Sequence, residues 1–355
     1  MSKKRTIDAY FGILQAKKLR ENGQDDRLTE TTVDSLTQYS THASYPFPIT
    51  YLPDALGKYL SESPVRAGRV IADQPDLDLL YFDPYISSSA ARQLFDFLRS
   101  ELPFYRVEYD ISRGANKTHV RTPRWTTVFG LDETASFGQG PVSEGSVVDL
   151  RTGKRAEYKA APRPIPQCLD VLRKSTEKAT GCRFNFCLVN YYASGADSIS
   201  FHSDDERFLG PLPAIASFSL GARRDFLMKH KPPKMGPTDT NSDNGLAKCS
   251  LKLPLGSGDM VLMRGTTQAN WLHSVPKRSG KNEHDDGRIN ITFRRVLVRG
   301  GTENYYQYNV GNGPVYKWDV AGRMMKPWVQ SSNATNTGIV PSMPSNAFSF
   351  EVRKP

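Results

Sequence analysis

Between residues 183 and 296 apolar and polar positions alternate with a period of two, in short runs punctuated by Gly, Pro, Asp and Asn. RFNFCLVNYYA, PAIASFSLG, RDFLMKH, CSLKLPL, GDMVLMRG, WLHSVP and RINITFRRV each have the length and residue types of a strand. So many strands without intervening helices predict a closed or double-sheet antiparallel core, a barrel or jelly roll. Upstream the period lengthens. SSSAARQLFDFLRSEL offers a Ser N-cap and sets Leu94, Phe95, Leu98 and Leu102 on one helical face. PIPQCLDVLRKSTEKATG predicts a second helix, with Pro near its start and Gly181 just past its end. The fold class expected is therefore α+β, mainly β, with N-terminal helices flanking the sheets.

The remaining segments lack such periods. Residues 1–70 read as a flexible N-terminal arm, 71–300 as the folded domain, and 301–355 as a C-terminal extension. Within that extension YYQYNVGNGPVYKWD carries enough aromatics to pack on the domain, and the polar run after it is expected to be disordered. KPPKMGPTDTNSDNG predicts a long exposed loop between two strands, and no internal repeat is visible.

Charge narrows the partners. Lys and Arg total 47 against 37 Asp and Glu, a net +10, which favours a polyanion such as nucleic acid. Four cysteines form no CxxC pair, so neither a zinc site nor a disulfide framework is expected. There is no signal-peptide h-region and no apolar run of about 20 residues, so a soluble intracellular monomer away from membranes is expected.

The chemistry concentrates at SISFHSDDERFLG. His202 and Asp204 stand two residues apart and share one face of a strand, with Asp205 and Glu206 behind them. Four ionisable groups in five residues ask for compensation, and a divalent metal supplies it. His273 in NWLHSVP completes a 2-His-1-carboxylate set with open coordination positions, the pattern of non-haem Fe(II) oxygenases. In GRINITFRRV, Arg288, Asn290, Thr292 and Arg294 share one face of a strand, and Ile289, Ile291 and Phe293 the other. If the arginine face looks into solvent it means little. If it turns inward, it needs an anionic partner, and a dicarboxylate such as 2-oxoglutarate pairs guanidinium groups bidentately.

These motifs resemble the AlkB family of Fe(II)/2-oxoglutarate dioxygenases, most closely its eukaryotic DNA-repair branch. NYY at 190–192, HSDDE at 202–206, PAIASFSLGARRDFLMKHKPP, GDMVLMRGTTQANWLHSVPK and RINITFR run in the family's order across roughly residues 120–296. The resemblance implies a double-stranded β-helix and, as metal ligands, His202, Asp204 and His273. It implies 2-oxoglutarate contacts from Asn190 and Tyr192, with Arg288, Asn290, Thr292 and Arg294 completing the co-substrate site. Asp205 and Glu206 match positions that face a flipped base, and Arg124 in TPRWTTVFG matches a phosphate contact. The implied activity is oxidative demethylation of N-alkylated bases in DNA with Fe(II), 2-oxoglutarate and dioxygen. RNA or N6-methyladenine substrates, and a non-catalytic nucleic-acid-binding module, are the alternatives.

Two departures stand out. LDETASFGQGPVSEGSVVDLRTGKRAEYKAAP is longer than the family's lid, and Tyr158 is the aromatic there expected to stack on a base. The base-flipping finger falls in YDISRGANKTHV, with no Phe at its tip. At the N-terminus, Ile7, Tyr10 and Phe11 in KRTIDAYFG resemble the peptide that docks on the PCNA sliding clamp, with Lys4 in place of the usual Gln. Such a peptide implies a nuclear protein at replicating DNA, and SKKR suits nuclear import.

Overall fold

The computed structural model describes residues 37–113, 116–138, 145–232, 249–278 and 287–329. The expected arm thus lies outside the described residues up to position 36, as do most of the loop predicted from Lys231 and the polar C-terminal run.

The chain opens with β1 (Tyr39–Ser40), β2 (Ile49–Thr50), α1 (Asp54–Ser61), β3 (Arg69–Ile71), β4 (Leu79–Phe82) and α2 (Ser88–Glu101). A hairpin follows, β5 (Glu108–Arg113) and β6 (Asn116–Arg121), then β7 (Trp125–Gly130), β8 (Ala135–Phe137), β9 (Val147–Asp149) and α3 (Gln167–Thr180). The motif-bearing strands are β10 (Phe186–Tyr192), β11 (Ile199–His202), β12 (Ile215–Gly221), β13 (Arg224–His230), β14 (Ser250–Leu255) and β15 (Met260–Met263). After them come α4 (Thr267–Asn270), β16 (Trp271–Val275), β17 (Arg288–Arg294), α5 (Glu303–Asn309), β18 (Tyr316–Asp319) and β19 (Met324–Pro327).

The two helices expected from periodicity form as read. Ser87 caps α2 by accepting from the Ala90 amide, and Gly181 ends α3 at φ 70°, where a side chain would be strained. The strands assemble into a seven-stranded sheet, β3-β4-β15-β12-β17-β10-β7, and a four-stranded sheet, β11-β16-β13-β14. From β10 to β13 successive strands alternate between the two sheets, and β15 to β17 do so again. Every recorded strand pairing is antiparallel. That alternation is the double-stranded β-helix.

Two cores follow from the period of two. The outward residues of the large sheet, among them Val189, Tyr191, Phe218, Ile289, Ile291 and Phe293, pack with Leu94, Phe95, Leu98, Leu169 and Leu172 of α2 and α3. Between the sheets, Phe186, Leu188 and Met263 meet Phe226, Met228, Leu253 and Trp271. Strand β17 is therefore buried on both faces, and its polar face looks into the space between the sheets. Gly287 lets it start there. At φ 86° its absent Cβ would sit 2.5 Å from the Tyr192 carbonyl.

One boundary needs correcting. The stretch from Gln38 to residue 70 is no arm: Ile49, Leu52, Leu56 and Leu60 are buried in the helical core beside α2 and α3. Their helical spacing is present in the sequence, but Pro46, Pro48 and Pro53 break the stretch into pieces too short to read as periodic. Leu60→Ala is expected to destabilise the protein by about 2–5 kcal/mol in urea unfolding, the range for a fully buried leucine. A neutral result would return this stretch to the arm.

Candidate active site

The ligand-bearing residues come from two strands of the small sheet. In β11 and β16, His202 and His273 stand directly opposite each other, with ring centroids 4.2 Å apart. Asp204 follows β11, and its amide donates to Gln268 Oε1 at 3.0 Å, fixing the turn from a side chain in α4. One ligand atom from each of His202, Asp204 and His273 fits within a mutual 4.8 Å. Arg224 steadies the strands behind them, donating to the carbonyls of Ser194, Asp197 and Pro276 at 3.2, 2.8 and 2.6 Å. It thereby joins the approach to β11 to the end of β16.

The protonation states suit metal binding. His202 Nδ1 lies 2.8 Å from the Ser200 carbonyl, which only accepts, so Nδ1 donates there and the ring orientation is fixed. Burial, reinforced by His202, holds His273 down at about 3, so its imidazole is neutral. Burial alone would raise Asp204. The Arg294 guanidinium outweighs it, by its charge and its hydrogen bond, and brings the carboxyl down to about 2, so it is ionised. A neutral His273 imidazole, the His202 imidazole and one carboxylate converge.

Above this cluster a cavity of about 410 Å³ opens between the sheets. Its walls include Asn190 and Tyr192 of β10, Asn290, Thr292 and Arg294 of β17, and Arg124 and Glu206. The β10–β17 register explains the convergence: Leu188 pairs with Thr292, Asn190 with Asn290 and Tyr192 with Arg288, so all share the inner face. Ser217 and Ser219 of β12 stand opposite Thr292 and Asn290, small enough to leave room.

The two arginines differ in what they hold. Arg294 donates from Nη1 to Thr292 Oγ1 at 2.8 Å and from Nη2 to Asp204 Oδ2 at 2.9 Å, while its Nε has no partner. Arg288 donates from Nη2 to Ser219 Oγ at 2.7 Å, and its Nε and Nη1 have none. It lies behind Tyr192, with the guanidinium 5.5 Å from the ring centroid. Buried donors on a cation are costly to leave unpaired, so this face is built for an anion.

The family model described as the 2OG-Fe(II) oxygenase superfamily matches residues 78–294. The chain belongs to this superfamily. Its cofactors are accordingly Fe(II), 2-oxoglutarate and dioxygen. As a 2OG-Fe(II) oxygenase it would hold the metal on His202, Asp204 and His273, and the unpartnered nitrogens of Arg288 and Arg294 fit the carboxylates of 2-oxoglutarate.

Similar proteins include the DNA oxidative demethylase ALKBH2 of Arabidopsis thaliana, 32% identical and covering 62% of this chain and 67% of that protein. The alpha-ketoglutarate-dependent dioxygenase alkB homolog 3 of Rattus norvegicus is 37% identical, over 48% of this chain and 55% of that one. The DNA oxidative demethylase ALKBH2 of Homo sapiens is 37% identical, over 39% and 49%. The chain thus spans two thirds of the first relative and about half of the other two.

Some expected site residues lie elsewhere. Asp205 points away and pairs with Lys231 at 2.7 Å. Tyr158 donates to Asp132 Oδ2 at 2.8 Å and packs beside Leu131, Ala135, Val147 and Ala156, outside the cavity lining. Asn290 reaches the cavity, but its amide donates to Ser217 Oγ and the Phe218 carbonyl at 2.8 and 2.7 Å, which ties β17 to β12. Conversely Tyr109, Asn304, Tyr305, Tyr308 and Asn309 line the cavity and were missed. The signal for Tyr305, Tyr308 and Asn309 was the aromatic density of YYQYN, which reads equally as packing, while Tyr109 opens the segment YDISRGANKTHV.

Arg288 touches no metal ligand, whereas Arg294 touches Asp204. Arg288→Ala is expected to raise the KM for 2-oxoglutarate tenfold or more with Mn(II) affinity unchanged. Arg294→Ala is expected to weaken both. Unchanged 2-oxoglutarate dependence in Arg288→Ala would remove that residue from the co-substrate site.

Proposed function

We propose that this protein is an oxidative demethylase that removes alkyl groups from the ring nitrogens of bases in DNA, of the 1-methyladenine and 3-methylcytosine type. The observation that carries the reading is Glu206. Its carboxylate stands in the wall of the same cavity as the metal ligands, Oε1 accepting from Tyr305 at 3.3 Å and Oε2 without a partner. A base alkylated on a ring nitrogen is cationic and offers an exocyclic amino group, and a buried carboxylate oxygen answers both. Names of the relatives above, the net charge of +10 and Arg124 at the cavity wall all favour DNA.

Each group has a task. Fe(II) held by His202, Asp204 and His273 would, with 2-oxoglutarate, supply dioxygen activation, the co-substrate being converted to succinate and carbon dioxide as the N-alkyl carbon is hydroxylated. The hydroxylated carbon on nitrogen then collapses to an aldehyde and the free N–H base. Arg288 and Arg294 hold the co-substrate, and Arg294 also fixes the Asp204 carboxylate. Glu206 orients the base edge. Leu188, Ile199, Phe226 and Val275 in the lining keep the reacting end apolar. Because the alkylated atom lies on the pairing edge, a duplex base must leave the stack, which is cheapest where pairing is already broken.

A nuclear location and docking on the PCNA clamp belong to the same proposal. They rest on Ile7, Tyr10 and Phe11, which lie outside the described residues.

With Fe(II), ascorbate and 2-oxoglutarate, the protein is expected to remove methyl from 1-methyladenine and 3-methylcytosine in DNA oligonucleotides, followed by mass spectrometry. His202→Ala is expected to remove none. Activity confined to N6-methyladenine or to RNA would replace the reading, and no turnover on any of them would leave a binding module. Changing Tyr10 and Phe11 together to Ala is expected to abolish clamp binding in a pull-down while oligonucleotide activity persists. A parallel loss of activity would move these residues into the catalytic site.

A further inference from the structure

We infer that α5 and the β5–β6 hairpin build a second nucleotide pocket beside the catalytic cavity, which holds the neighbour of the target base. The inference rests on the DNA reading above. Its carrier is a wall of two tyrosines. Tyr109 of β5 and Tyr308 of α5 meet edge to face, with centroids 6.2 Å apart and planes at 72°. Both belong to the lining of the catalytic cavity and of a second one, of about 910 Å³, on the other side.

These rings are not core. Tyr109 is 39% and Tyr308 53% exposed, and Tyr308 sits on a helix whose other face is buried. In the hairpin, Tyr109 pairs with Val120, while Glu108, Asp110, Lys117, His119 and Arg121 interact with one another in a separate ion-pair network. Tyr305 and Tyr306 bury the inner face of α5 and leave Tyr308 standing out. A wet aromatic pair between two cavities is a stacking platform that any base can use.

The second cavity also has provision for a phosphate. Arg163 is in its lining, with Nη1 buried and without a hydrogen-bond partner and the guanidinium 5.0 Å from the Tyr105 ring centroid, and Lys159 stands at its edge with its side chain 89% exposed. The two carboxylates in the lining are already engaged. Glu108 takes Arg121 at 2.9 Å, and Glu303 accepts from the Lys159 amide at 2.9 Å. Lys159 Nζ pairs with Glu303 at 3.8 Å, which leaves Arg163 as the cation with no acid of the lining paired to it among the described residues. Asn304, which lines both cavities, and Gln307 offer amides for base edges.

Most of this pocket lies outside the oxygenase motifs: α5 begins at Glu303, past the end of the family match at residue 294. It adds a segment of this chain to the shared catalytic core.

The test is fluorescence anisotropy without iron, using a labelled nine-nucleotide single-stranded DNA with one central 1-methyladenine. Tyr308→Ala is expected to weaken binding fivefold or more, and Tyr308→Phe to bind as wild type. Replacing one flanking nucleotide with an abasic site is expected to weaken wild type to a similar degree and to add nothing in Tyr308→Ala. Because Tyr308 is half exposed, its melting temperature is expected to be unchanged, separating stacking from folding. Equal binding by wild type and Tyr308→Ala, or indifference to both abasic flanks, would overturn the second pocket alone. Wild type that binds none of these oligonucleotides would overturn the DNA reading with it.

Discussion

Two guanidinium groups inside one strand are the constraint around which this molecule is arranged. Arg288 and Arg294 are 1% and 3% exposed, and no sheet tolerates such a face without acceptors. The fold meets the demand in part. Asp204 comes from the opposite sheet to take one nitrogen of Arg294, so the residue that secures the cation also belongs to the cluster that could hold a metal. Ser219 takes one nitrogen of Arg288. Arg294 lines the cavity between the sheets, where a carboxylate would complete it, and Arg288 keeps two unpaired nitrogens behind Tyr192.

That constraint orders the rest. The opposite face of β17 must be wholly apolar for the strand to be central, and Ile289, Ile291 and Phe293 provide it against α2 and α3. The helical layer therefore stabilises the co-substrate site without touching it. On the other sheet, His202 and His273 need only stand opposite each other in register to complete the ligand set, and Arg224 locks the segments that carry them.

Much of this was legible in sequence because it follows a strict period. The run RDFLMKH has the bounds of β13, and the alternation in RINITFR by itself separates the two faces of β17. Spacing of two placed His202 and Asp204 together, and the structure brings His273 to them. What escaped lacks a period or depends on distant partners. Helix α1 hides among prolines, Asp205 is turned away by Lys231, and Tyr158 is drawn off by Asp132. The tyrosines of α5 are indistinguishable from packing residues until the cavity they line is seen.

Thermal unfolding of the metal-free protein with and without 2-oxoglutarate tests the central claim most directly, because it reads the arginine face and nothing of catalysis. At saturating 2-oxoglutarate, about a hundredfold above its dissociation constant, linkage predicts roughly 2.7 kcal/mol of stabilisation and a melting temperature raised by several degrees. A monocarboxylate of the same length is expected to give a smaller rise. No shift at millimolar 2-oxoglutarate would mean that the buried guanidiniums are satisfied in some other way, and the account of the strand would fail.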